Sequence, residues 1–114
     1  MIAELHKKLV QKEQSARELV DSYLGVIEKK DPEIHAFLDV FEKQAKSDAK
    51  ALDAKIARGE EIGVLEGIPV AIKDNMLIDG TPTTAGSKIL QTHVAAYDAT
   101  AIGKLKKAGA ILLE

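Results

Sequence analysis

Gly67-Ile-Pro-Val-Ala-Ile-Lys-Asp-Asn75 is a short apolar run held between punctuation residues, and its reading decides the fold. Residues Ile68 to Ile72 carry no charge, are rich in β-branched side chains and are too few for a helix, so they read as a buried strand. Pro69 has no N–H to give to a ladder, which places it at the first residue of a strand or on a sheet edge. Lys73 then emerges where the buried strand meets a loop. A lysine there is either a surface residue lying along its own methylene stem or a partly desolvated amine held in a site. Lysines are mostly exposed, so its company must decide between the two.

Downstream, residues 74–96 are rich in Thr and Gly and read mostly as loop, with one short helical turn at Lys88-Ile-Leu90. Asp98 or Thr100 is placed to cap a helix whose inner positions are Ala101, Ile102, Leu105 and Ala108, and Gly109 closes it. Ala110-Ile-Leu-Leu113 opens a second buried strand. Strand, long loop, helix, strand is the βαβ arrangement of a parallel or mixed sheet flanked by helices, an α/β class of fold. Strands buried on both faces are expected at Val70, Ile72 and Ile111 to Leu113.

Upstream, the pattern is helical. Ile2, Leu5 and Leu9 recur at helical spacing. Ser15-Ala-Arg-Glu18 is a capping box, in which the Ser hydroxyl accepts a first-turn N–H while Glu18 reaches back. Leu19, Val20, Tyr23, Leu24 and Ile27 then form one apolar stripe, and Asp31-Pro32 is expected to end that helix. Residues 34–41 read as a short strand or an extended linker. A third helix runs from about Glu42 to Arg58, with Ala45, Ala49, Leu52 and Ile56 inward and Gly59 as its stop. Residues 1–61 hold 24 of the 34 charged side chains, which divides the chain into a helical segment, 1–61, and the start of an α/β core, 62–114.

The chain has 114 residues, enough for one domain with a core, and 46% hydrophobic with 30% charged residues is a globular balance. A net charge of −2 provides no basic footprint for nucleic acid and no polybasic patch for a membrane. With no cysteine there is no disulfide framework and no thiolate metal site. Met1-Ile-Ala-Glu-Leu-His6 has neither the basic nor the apolar region of a secretory leader, so a cytoplasmic location is expected. Glu114 falls inside the last apolar run, and the expectation is a boundary within a longer protein.

The lysine segment, followed by Gly80-Thr-Pro-Thr-Thr-Ala-Gly-Ser-Lys88, resembles the start of the amidase signature family. Tyr97-Asp-Ala-Thr100, Leu105-Lys-Lys-Ala-Gly-Ala-Ile111, Ser15-Ala-Arg-Glu-Leu19 and Asp31-Pro-Glu-Ile-His-Ala-Phe37 extend the likeness over nearly the whole chain. It is similar above all to the branch that serves as the glutaminase subunit of a tRNA-dependent amidotransferase. The resemblance implies a mixed sheet flanked by helices, of which only the amino-terminal portion is present. It also implies that Lys73 is a catalytic general base acting through a bridging serine, held by a cis peptide, on a nucleophilic serine. Both serines are expected beyond Glu114, so the chain alone is expected to be inactive. Ammonia freed from glutamine would pass to a partner subunit that uses ATP and magnesium, with a third small subunit stabilising the complex. No cofactor or metal is implied on this chain itself. The alternatives are an amidase for other small amides, or a non-catalytic interaction module.

The remaining candidates are weaker. Asp74 and Asn75 read first as turn formers whose side chains bond their own backbone two residues on, and second as a wall of the site. Ser87 lies near Lys73 in sequence, but no Gly-x-Ser-x-Gly elbow surrounds it. His6, His35 and His93 are far apart, with no ligand spacing. Gly103-Lys104 lacks the upstream glycine and the following Ser or Thr of a phosphate loop. The unpaired strands expected near 70–73 and 110–113 make self-association the expected behaviour.

Overall fold

A computed structural model describes residues 1–114. Four helices, α1 (Ile2–Val10), α2 (Ala16–Ile34), α3 (Glu42–Ala57) and α4 (Thr100–Lys107), surround two short parallel strands, β1 (Pro69–Val70) and β2 (Ile111–Leu112). The register pairs Pro69 with Ile111 and Val70 with Leu112. Ile111 N–H donates to the Ile68 carbonyl and Leu113 N–H to that of Val70, both at 2.9 Å. In a parallel ladder the neighbouring residue's groups then point away from the partner strand, so Pro69 sits where its missing N–H removes nothing from the ladder.

The pleat of β2 divides the core. Ile111 and Leu113 join Leu9, Leu19, Val20, Ala45, Ala49 and Leu52, placing α1, α2 and α3 on one face. Leu112 packs with Ile72, Ile78 and Ile102, placing α4 on the other. Side chains alternating along one strand into two cores are what a sheet covered on both faces requires. Leu9 is 1% exposed and Ile102 fully buried; each such side chain contributes about 1.5–3 kcal/mol of hydrophobic stabilisation. Gly67, at φ +82°, brings the chain into β1 by passing directly over Leu52 and Leu9.

The start of α2 is fully satisfied. Ser15 Oγ accepts the Glu18 N–H at 3.0 Å and Glu18 Oε2 accepts the Ser15 N–H at 2.9 Å, completing the capping box. The two remaining first-turn donors come from Ala16 and Arg17. They give their N–H groups to the Asp53 carboxylate on α3, at 2.7 and 3.0 Å. A single side chain thus caps α2 and fixes it against α3.

Several expectations need correction. Helix α2 does not end at Asp31-Pro32; it runs to Ile34, with His35 in the left-handed conformation. Proline's fixed φ is itself helical, and the Asp31 carboxylate accepts the N–H groups of Ala36 and Phe37, which holds the last turn together. Residues 35–41 form an extended linker and not a strand, although Phe41 N–H donates to the Leu113 carbonyl at 2.9 Å. The first strand is two residues long, with Ile68 and Ile72 buried on either side of it and Val70 only half-buried. Neither Asp98 nor Thr100 caps α4: Ala99 is the N-cap and makes no side-chain bond. Asp98 instead accepts the Asp79 N–H and pairs with Lys106. On α4 only Ile102 is buried and Leu105 half-buried, while Ala101 and Ala108 are exposed.

Candidate functional site

Lys73 lies three residues past the end of β1, directly after buried Ile72, and is exposed. Its carbonyl accepts the Met76 N–H at 2.9 Å, so the chain turns sharply there. Residues 77–99 form an excursion tied at its base, where Ala99 N–H donates to the Leu77 carbonyl at 2.8 Å. Within it, Pro82 bridges Val94 in antiparallel fashion and Lys88–Leu90 make the expected helical turn. The Thr83 N–H reaches the His93 carbonyl, and Thr83 is the one buried polar side chain of the chain.

This excursion folds back beside Lys73 and leaves a cavity of about 300 Å³. Ile72, Lys73 and Asp74 line it together with Thr81, Pro82 and Thr84, and Asp74 and Thr84 are in direct contact. Leu38 and Phe41 of the linker after α2 and Glu114 after β2 complete the lining, with the Leu38 N–H donating to Glu114 Oε1 at 2.8 Å. Lys73 and the Thr/Pro segment thus line the same cavity, just past the end of β1. Ser87 does not line the cavity; it is half-buried and begins the Lys88–Leu90 turn.

Asp74 behaves differently from a local turn former. Its Oδ1 accepts the Thr84 N–H at 2.8 Å, its Oδ2 accepts the Thr84 hydroxyl, and its carbonyl accepts the Ala85 N–H at 2.9 Å. The Thr84 hydroxyl, together with the N–H groups of Thr84 and Gly86, outweighs desolvation and holds the Asp74 carboxyl below its ordinary value. Asn75 is exposed. The Thr-rich segment 81–87 is expected beside Lys73 from the sequence, but nothing in the sequence marks the grip of Asp74 on Thr84 or the wall formed by Leu38, Phe41 and Glu114, which lie far from Lys73 in the chain.

A larger groove of about 1070 Å³ runs between α3 and β2. Its floor is Ala110, Ile111 and Leu112, and its rim carries Lys55 paired with Glu66 at 2.6 Å. Burial pushes the Glu66 carboxyl up, but hydrogen bonds from Lys55 and the Gly63 N–H, with the Lys55 charge, bring it below its ordinary value. Lys73 lies outside this groove and lines the small cavity, which makes the small cavity the candidate site. No three His, Asp or Glu side chains converge at ligand spacing, and no helix is long and apolar enough to cross a membrane.

Comparison with known proteins agrees with this geometry. The chain is 54% identical over 112 residues to the glutamyl-tRNA(Gln) amidotransferase A-subunit of Gloeothece citriformis, covering 98% of this chain and 23% of that relative. The fold superposes on a bacterial aryl acylamidase of the amidase signature enzymes with a TM-score of 0.90 at 31% identity, over 98% of this chain and 24% of that one. The peptide amidase of Stenotrophomonas maltophilia gives 0.88 at 30% identity, over 98% and 23%. The chain thus spans about a quarter of the length of the relatives it matches. The Amidase family model matches residues 18–113, which include β1, Lys73, the excursion and β2, and the chain therefore belongs to the amidase signature family.

Proposed function

We propose that this chain is the lysine-bearing portion of an amidase-type glutaminase subunit that frees ammonia for the amidation of Glu-tRNA(Gln). The observation that carries the reading is the 54% identity over 98% of the chain to the Gloeothece amidotransferase protein, against 30–31% for the aryl acylamidase and the peptide amidase. That difference favours glutamine over other amides as the substrate. Lys73 is the general base, the amine that takes the proton of a serine hydroxyl. The bridging and nucleophilic serines come from chain beyond these residues. ATP and magnesium belong to a partner subunit, a third subunit completes the assembly, and the setting is the cytoplasm. The low net charge of −2 is consistent with tRNA being held by a partner.

A chimera tests this. The corresponding amino-terminal part of the Gloeothece protein is replaced by residues 1–114 and ammonia release from glutamine is measured. The chimera is expected to be active, and Lys73→Ala is expected to lower its rate by roughly 10²–10⁴-fold, the usual contribution of a general base. A Lys73→Ala chimera within a few-fold of its parent contradicts the assignment. The 114-residue chain alone is expected to turn over neither glutamine nor a chromogenic amide. It is also expected to self-associate, because β1 and β2 pair only with each other and leave the outer edge of each without a further strand. Light scattering that finds a monomer at every dilution contradicts that part.

A further inference from the structure

We infer that Asp74 is a positioning residue of the Lys73 site: by clasping the 84–87 turn it fixes Thr84 in the wall of the cavity that Lys73 also lines. The inference rests on the reading of Lys73 as the base. Asp74 is bonded covalently to Lys73, so whatever it grips is placed relative to that residue. It grips Thr84 with both carboxylate oxygens and Ala85 with its carbonyl. An Asx turn spans two residues; this contact spans ten.

Thr84 is pinned from every side. Its hydroxyl donates to Asp74 and accepts the Gly86 N–H at 3.2 Å, and its carbonyl accepts the Ser87 N–H at 2.8 Å. Between them Ala85 takes φ +48°, a left-handed conformation that a residue with a Cβ keeps only when surrounding contacts impose it. The Asp74 side chain is turned to the loop and not to the amine, since Lys73 takes part in none of the ion pairs of the chain.

The test uses the isotope-labelled chain and three variants, Asp74→Ala, Thr84→Val and Thr84→Ser. Amide exchange at Ala85 and Gly86 is expected to accelerate at least about tenfold in the first two and to stay near the parent rate in Thr84→Ser, which keeps the hydroxyl. The ¹³Cε resonance of Lys73, which lines the same cavity, is expected to move in Thr84→Val and return in Thr84→Ser. Thr84→Val is decisive because it leaves the Asp74 charge in place. Amides of α2 and α3 report that each variant remains folded. Exchange within twofold of the parent in both Asp74→Ala and Thr84→Val overturns the clasp. A Lys73 resonance unmoved by Thr84→Val reduces it to a contact within the loop and overturns the positioning role. An intact clasp beside an active Lys73→Ala chimera defeats only the assignment of the base.

Discussion

Replacing Gly67 by Ala should be among the most damaging single-methyl changes in this chain. Gly67 has φ +82°, and a left-handed conformation costs a residue with a Cβ about 1–2 kcal/mol. The added methyl also meets the Leu52 side chain and comes within 3.1 Å of Leu9 Cδ1. Both contacts are methyl ends of leucines, which on a surface would swing aside, but Leu52 is 6% and Leu9 1% exposed, so any rotation drives them into packed neighbours. Overpacking of that kind costs about 1–3 kcal/mol, and together the two effects come to about 2–5 kcal/mol. Gly59 supplies the control. It has φ +77° with nothing within 4 Å, so Gly59→Ala incurs only the backbone cost. The two variants are compared by urea denaturation followed by helical circular dichroism. With a slope of about 1.5 kcal/mol per molar urea, the midpoint should fall by about 1 M for Gly59→Ala and about 1.5–3 M for Gly67→Ala. Adding Leu52→Ala to Gly67→Ala should cost less than the sum of the separate changes, since the obstructing side chain is gone. Equal midpoints for Gly59→Ala and Gly67→Ala would refute the steric part of the reasoning and the placement of β1 over Leu52 and Leu9.

Asp53→Ala removes the acceptor for two N–H groups of α2 and should destabilise by about 1–3 kcal/mol, more than Ser15→Ala at about 1 kcal/mol; a thermal melt ranks them, and the reverse order contradicts the cross-helix cap. Glu66, Asp74 and Asp98 all have folded-state carboxyls below their ordinary values. For Asp98 the hydrogen bond from Lys106 leads, followed by the Asp79 N–H. Groups depressed in this way stabilise the fold above the unfolded carboxyl range of about 4 and lose that contribution as pH falls through their lower folded values. Urea midpoints should therefore be flat near neutrality and decline from about pH 5 downward, less steeply in Glu66→Gln; a midpoint that rises on acidification contradicts the sign.

The helices were legible because their signals are local. Ser15 and Glu18 are three residues apart and specify the start of α2 by themselves. The end of α2 was hidden, because Asp31 reaches five and six residues onward only once the chain has already turned. Lys73 could be singled out from its segment and from the family resemblance, but its surroundings could not. Leu38 and Glu114 reach the cavity through a backbone bond between Phe41 and Leu113, more than seventy positions apart in sequence. Strand length failed for a similar reason: a run of apolar residues says that a segment is buried, whereas the ladder it forms depends on which neighbours it meets.

The pairing of Pro69 with Ile111 also sets an order of events in time. Closing a chain of about forty residues costs on the order of 3 kcal/mol in entropy before any contact offsets it, while α2 and α3 are neighbours in sequence and meet early. The helical layer should therefore assemble first during synthesis, with an unfilled place in its core for Ile111 and Leu113. Those residues are nearly the last to emerge in this stretch of chain. A nascent chain halted just short of them would hold its helices and lack its keystone, and it is in that interval that a chaperone would find it.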